Sequence, residues 1–315
     1  MFQKYKYVLA VYREQSFTGA AQKLFISQPS LSVAIRKIEK EIGGALFERF
    51  GSGVKPTEIG MAYISAAQKM YQAEDEFAKK CLDINELQTG KLVVGGSNYL
   101  SSDVLPKIIT LFREKFPKVE ITLVEANSIR LREMLHDEEV DMIIDNFEDG
   151  SEQYEEYPLV REQILLCVPA NNPLNEKLRK YQILPEDIYE GIFAPADISA
   201  VDITSFKDEK FILLKHGNDM YHRAKVIFGE RNLTPDVAFQ VDQLNIAYAL
   251  TESGIGVNFV ADTFFKYRKH VGNVILYQLD TRYARRMLYI AHKKNRYCTR
   301  AMAEFIKVAQ EIIHP

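Results

Sequence analysis

Apolar residues fall at helical intervals through the first third of the chain and in short blocks after it. Tyr5, Val8, Leu9 and Tyr12 stand at i, i+3, i+4 and i+7, which predicts a helix over residues 4–14. Ala20, Ala21 and Leu24 mark the inner face of a short second helix, with Ser16 or Thr18 as its cap, and Phe25-Ile26-Ser27 makes a turn. Leu31, Ile35, Ile38 and Ile42 then form one stripe on a third helix, over 29–41. Its opposite face carries Pro29, Ser30, Val33, Arg36, Lys37 and Lys40. Gly43-Gly44 stops that helix, and residues 45–55 read as a hairpin wing turning at Gly51 and Gly53.

From Thr57 to about Leu87 the apolar positions are Ile59, Tyr63, Ala66, Met70, Ala73, Phe77, Cys81, Ile84 and Leu87. Their steps alternate mostly between four and three, the rhythm of a helix paired along its length. Gln88-Thr89-Gly90 ends it. Strand blocks then alternate with amphipathic helices: strands at 91–96, 119–126 and 140–146, and helices at 102–117 and 128–139. This alternation predicts a parallel sheet covered by helices. Further strands are expected at 164–169, 211–215, 237–241, 255–261, 274–279 and 286–291. Helices are expected near 219–231, 244–253 and 300–313.

The second and third helices, with a turn of three residues between them, have helix-turn-helix spacing. The start of the third offers what a major-groove reader needs. Gln28 and Ser30 can bond base edges, Val33 can meet a thymine methyl, and Arg36 and Lys37 can meet phosphates. From Ser16 to Glu39 the chain matches S-F-T-x-A-A-x-x-L-x-x-S-Q-P-S-L-S-x-x-I-x-x-[IL]-E. Ile42-Gly43, Leu46-Phe47-Glu48-Arg49 and Pro56-Thr57-Glu58-x-x-Gly60 follow. In these residues the chain resembles the LysR-type transcriptional regulators. It departs from their pattern at Phe50 and Ser52, where a small residue and an arginine are usual.

The resemblance implies an α/β chain in three parts. Residues 1–58 would be a winged helix-turn-helix DNA-binding domain and 59–89 a linker helix that dimerises. Residues 90–315 would be a two-lobed, periplasmic-binding-protein-like α/β sensor domain. Lobe I would hold about 90–162 and 268–315 and lobe II about 163–267, joined near 161–164 and 262–273. The implied DNA contacts are Thr18, Ser27, Gln28, Pro29, Ser30, Val33, Arg36, Lys37 and Arg49, the last unless it is a plain surface arginine. The implied partners are double-stranded DNA, a small-molecule effector, and copies of the chain in a homodimer or homotetramer. Packing of the long helix on its own domain is the alternative to pairing.

Composition adds two constraints. Residues 1–60 hold nine Lys and Arg against five Glu, a balance of +4, which leaves −7 for the rest of a chain of net charge −3. A basic head on an acidic body suits a DNA reader joined to a sensor. No apolar run nears the ~20 residues of a membrane span, and Arg13 and Glu14 follow only a short amphipathic stretch, unlike a secretory signal. A cytoplasmic protein without membrane contact is expected. Cys81, Cys167 and Cys298 are isolated, and the six histidines are scattered. There is no phosphate-binding loop, and Gly254-x-Gly256 lacks the third glycine of a dinucleotide fingerprint. The expectation is therefore a non-enzyme without metal or cofactor. An enzyme or transport-type binding protein on the same two-lobed fold is the alternative.

Open α/β sheets place ligands at the carboxyl ends of strands, beside helix starts. That rule nominates Ser97, Asn98, Asn127, Ser128, Asn146, Lys215 and His216 as effector contacts. Helix starts and Lys215 favour a carboxylate-bearing metabolite, while Asp103 and Asp219 tilt the site toward a zwitterion.

Overall fold

The computed structural model describes residues 4–50, 53–84, 90–147, 152–193, 198–268 and 272–313. The chain divides into two compact units, Met1–Asn85 and Glu86–Pro315.

The first unit begins with helices α1 (Tyr5–Glu14), α2 (Phe17–Lys23) and α3 (Gln28–Ile42). Ser16 caps α2, accepting from Gly19 N at 3.2 Å, so of the two candidate caps Ser16 fills the role and Thr18 stays exposed. Leu31, Ile35 and Ile38 of α3 bury against Val8, Leu9 and Val11 of α1 and Ala20 and Ala21 of α2. Strands β1 (Phe47–Phe50) and β2 (Gly53–Pro56) pair antiparallel as the wing. The turn residues Gly51 and Ser52 lie outside the described residues.

Helix α4 (Glu58–Ile84) follows. Its entry explains the Pro-Thr-Glu-x-x-Gly motif. Thr57 Oγ1 donates to Ala45 O at 2.6 Å and accepts from Gly60 N at 2.9 Å. A Cβ on Gly60 would lie 1.9 Å from Leu46 O, so only glycine lets α4 start this close to the strand. Tyr63, Ile64 and Ala67 turn into the unit's own core, whereas Met70, Tyr71 and Phe77 stay exposed. The expected pairing stripe thus splits: Tyr63 packs at home, whereas Met70 and Phe77 stay exposed, with Glu74 between them still bonded to Tyr5 and Lys6 of α1. The side chains of Cys81 and Ile84, and all of Leu87, lie outside the described residues.

The second unit opens with β3 (Gly90–Gly96), α5 (Leu105–Lys115), β4 (Val119–Glu125), α6 (Ser128–His136) and β5 (Met142–Asn146). Strands β4 and β5 flank β3, all parallel. Next comes β6, a 16-residue strand, Tyr154–Pro169, where the sequence shows only 164–169. The short elements α7 (Leu174–Lys177), β7 (Gln182–Ile183) and α8 (Pro185–Tyr189) follow. Then come β8 (Lys210–Leu214), α9 (Asp219–Glu230), β9 (Asp236–Val241), α10 (Leu244–Glu252), β10 (Val257–Ala261) and α11 (Thr263–Lys266). The chain closes with β11 (Val274–Gln278), β12 (Arg285–Lys293) and α12 (Arg300–Ile313).

The strand order β4-β3-β5-β12-β6-β10-β8-β9 runs through both lobes, and β6 is the shared spine. Its residues 154–163 pair with β12 in the first lobe. Its later residues pair with β10 and β11 in the second. Because β11 belongs to the second lobe and β12 to the first, the return crossing lies between 279 and 284. The expected return at 262–273, and with it the lobe boundary at 268, moves accordingly. The final helix covers the first lobe, Phe305 packing on Phe112 of α5 at a ring separation of 5.3 Å.

Candidate functional site

In the first unit the exposed surface of α3 is the candidate interface. Ser27 caps the helix through Ser30 N at 3.3 Å, and Pro29 occupies its first turn, where no intrahelical donor is lost. Gly43, at φ +79°, ends it in the left-handed region that glycine tolerates. Ser27, Gln28, Pro29, Ser30, Val33, Arg36 and Lys37 are all exposed, as is Thr18 at the start of α2. Val33 keeps 64% of its surface in solvent, an aliphatic side chain standing among the polar residues of this face. Gln28 Nε2 donates to Ser32 Oγ at 2.9 Å, and the Ser27 and Ser30 hydroxyls are 2.7 Å apart. These small polar groups are held at one helix end yet remain open outward. Arg49 lies on β1, and its side chain is outside the described residues. Phe50 is exposed on the wing, with Lys55 Nζ 4.7 Å from its ring centre.

In the second unit a cavity of about 150 Å³ lies where the strand ends of both lobes meet. Ser97 and Asn98 follow β3, and Asn127 and Ser128 follow β4, so four nominated residues line it. Asn127 caps α6, accepting from Arg130 N at 2.9 Å. Asn146, Lys215 and His216 are not among the lining residues. Asn146 is buried, its backbone carbonyl accepting from Arg132 Nη2 at 2.6 Å. Lys215 donates to Asp242 at 2.8 Å. The exposed His216 ring packs edge-on to Tyr221 and His222, at ring separations of 5.9 and 5.5 Å. The cation expected to face the ligand from Lys215 is therefore absent from the lining.

Sequence reading missed Asp145, Gln243, Leu244 and above all Arg286, which also line the cavity. The strand-end rule, applied after β9, would have found Gln243 and Leu244. Arg286 sits on a returning antiparallel strand and carries no local signal. Its guanidinium donates to Glu162 at 2.6 Å, Asp219 at 2.5 Å and the Tyr99 hydroxyl at 2.9 Å. Asp219 also accepts from Arg223 Nε at 2.8 Å, and Arg223 Nη1 donates to Tyr283 O at 2.9 Å. Burial alone would raise the Asp219 carboxyl, but Arg286 and Arg223 outweigh it and hold it below its usual range. Asp145 behaves oppositely: burial raises its carboxyl despite Arg132 beside it. At the crossing, burial and neighbouring Glu162 push the Asp262 carboxyl up to about 7. Glu162 also accepts from the Tyr99 and Thr263 hydroxyls. Strand β6, α9, α11 and β12 are thus tied through one buried polar network spanning both lobes.

Other bonds bridge the lobes at the cavity rim. Asn245 Nδ2 donates to Asn98 Oδ1 at 2.9 Å, and Ile129 N donates to Gly217 O at 3.3 Å. Arg268 forks onto Asp103 at 3.0 and 2.8 Å, so Asp103 is engaged there and does not line the cavity. No helix among the described residues is long and apolar enough to cross a membrane.

Residues 2–61 match the bacterial regulatory helix-turn-helix proteins of the lysR family, and residues 85–190 and 191–312 match the LysR substrate binding domain. YcgK of Bacillus subtilis, an uncharacterized HTH-type transcriptional regulator, is 27% identical over 311 residues, 97% of this chain and 93% of its own. A probable RuBisCO transcriptional regulator of Synechocystis sp. is 26% identical, covering 97% of this chain and 85% of its own. Full-length OxyR from Pseudomonas aeruginosa superposes with a TM-score of 0.69 at 21% identity, covering 99% of this chain and 94% of its own. CbnR in complex with its target DNA gives 0.62 at 18%, covering 99% of each chain. At such identities the structures show a shared fold. The family and the named relatives are transcription regulators, not enzymes. The chain belongs to the LysR family: it is a DNA-binding transcriptional regulator whose second unit is an effector-binding domain.

Proposed function

We propose that the chain reads a two-fold symmetric promoter site by laying α3 in the major groove, and that a small metabolite in the inter-lobe cavity regulates it. The exposed polar and aliphatic end of α3, with Val33 open to solvent beside Gln28 and Ser30, is the observation that supports the DNA reading. Arg36 and Lys37, further along the same face, would hold phosphates; Thr18, Ser27 and Arg49 would add backbone contacts. The exposed Met70, Tyr71 and Phe77 of α4 would pair with the same face of a second copy, presenting two recognition helices to two half-sites. In the cavity Ser97, Asn98, Asn127 and Ser128 would orient the effector. Its binding shifts DNA affinity only as far as it prefers one lobe arrangement over another.

Fluorescence anisotropy of the full chain on its own upstream DNA and on a scrambled sequence tests the helix assignment. Arg36→Ala should weaken both alike and lower the log–log salt slope by about one. Val33→Ser should keep the slope and narrow the ratio between the two sequences. Unchanged slope and unchanged ratio in these variants would remove α3 from the interface.

A further inference from the structure

We propose that the effector carries an ammonium group, held in the cavity by Asp145 and Glu125. The inference rests on the reading of the cavity as the effector site, and it concerns the chemistry that site can accept. The cavity is small: about 10–15 Å³ of such space holds one water, so 150 Å³ has room for roughly ten non-hydrogen atoms. Its lining contains four carboxylates, of Glu125, Asp145, Asp219 and Asp242, and one cation, Arg286.

Three of the five N–H donors of Arg286 are engaged, by Glu162, Asp219 and Tyr99, and its charge is shared by two carboxylates. The cations just behind the lining are engaged too: Arg223 on Asp219, Arg132 on Asp145 and Lys215 on Asp242. A ligand carboxylate reaching for Arg286 must compete with Glu162 and Asp219, which already pair with it.

The acceptor side is less satisfied. Glu125 is exposed at the end of β4, and among the described residues no cation pairs with it. Asp145 accepts from Ser128 Oγ at 3.1 Å on one oxygen and from Arg132 Nε at 3.2 Å on the other, and the backbone N–H of Asn146 also bonds its carboxylate. A carboxylate offers about four lone-pair sites, so acceptor capacity remains. Burial raises the carboxyl of Asp145, which marks a negative charge short of compensation. Glu125 and Asp145 lie at the ends of the two strands that flank β3: Glu125 pairs in register with Gly96, and Asp145 stands one residue past Ile144, the partner of Gly96 on the other side. An ammonium between them brings three donors and one full charge to Glu125, which has no cation among the described residues, and to the remaining acceptor capacity of Asp145. Gln243 makes no side-chain cap on α10, so the first N–H groups of that helix can receive a carboxylate at the other end of an amino acid.

The test uses the full chain and thermal unfolding with three matched sets of probes at equal concentration. The sets are the proteinogenic L-amino acids, their decarboxylated amines, and their deaminated carboxylic acids. At least one amino acid or amine should raise the unfolding temperature while its deaminated counterpart does not, and Glu125→Gln should weaken that ligand tenfold or more. Stabilisation by the amines separates a pure cation from a zwitterion, and either supports the ammonium. Stabilisation by the acids alone, or by no amine-bearing probe, overturns the proposal. Gln243→Trp and Ser97→Trp, at two half-buried lining positions, address the cavity itself. A ligand of any charge that binds both with wild-type affinity refutes the cavity reading rather than the charge class.

Discussion

Replacing Arg286 by methionine is expected to lower the stability of the effector-binding unit by about 3–5 kcal/mol. The guanidinium is 5% exposed and Glu162 is fully buried beneath it, so the substitution strands a carboxylate with no water to solvate it. Asp219 keeps Arg223, but among the described residues Glu162 is left with the Tyr99 and Thr263 hydroxyls. The effect comes from the orphaned charge more than from the lost attraction. Adding Glu162→Gln should therefore recover part of the loss, a coupling that a double-mutant cycle measures directly. Urea denaturation followed by circular dichroism reads both. A loss below ~1 kcal/mol for Arg286→Met would mean that the network across the lobes is solvated and contributes little.

Leu31→Ala is expected to cost the DNA-binding unit roughly 2–5 kcal/mol. Leu31 is fully buried and sits where α1, α2 and α3 meet, so the truncation leaves a cavity between helices too short to stand alone. DNA binding at the temperature where the mutant unfolds should vanish together with helical signal. A Leu31→Ala protein with unchanged midpoint and unchanged DNA affinity would contradict the inward orientation of the stripe, and with it the outward orientation of Val33 and Arg36.

The sequence was most informative where contacts are local. The stripe of α3, the cap at Ser16, the stop at Gly43 and the Thr57–Gly60 helix entry all act within a few residues or across one short hairpin. Even Glu39 in the motif has a nearby duty: its carboxylate accepts from Leu46 N at 2.8 Å, tying α3 to the approach of the wing. Legibility falls as partners move apart along the chain. The first half of β6 reads as a loop because Glu155, Glu156 and Pro158 argue against a central strand. Pro158 is tolerated because the register with β12 shifts there. The lobe crossing at 279–284 was misplaced because only strand pairing shows that β11 and β12 belong to different lobes. Arg286 was invisible for the same reason, since its partner Glu162 is 124 positions away.

The charge around the cavity shows a different limit. Lys215 follows a strand and precedes a helix, so the rule that nominated it was sound, yet Asp242 at the end of the neighbouring β9 takes its charge. Which of two adjacent strand-end residues faces a ligand depends on side-chain pairing, and the linear pattern does not hold that information.

Hydroxyl-radical footprinting of the full chain on its own upstream region tests the central claim most directly. Two recognition helices from paired copies should protect two half-sites on one face of the duplex, ~34 Å or a multiple apart. The two half-sites should be related by an inverted repeat, and Phe77→Glu, at a position 69% exposed on α4, should weaken both together. A single asymmetric footprint unaffected by Phe77→Glu, or protection no different from that on scrambled DNA, would contradict the account.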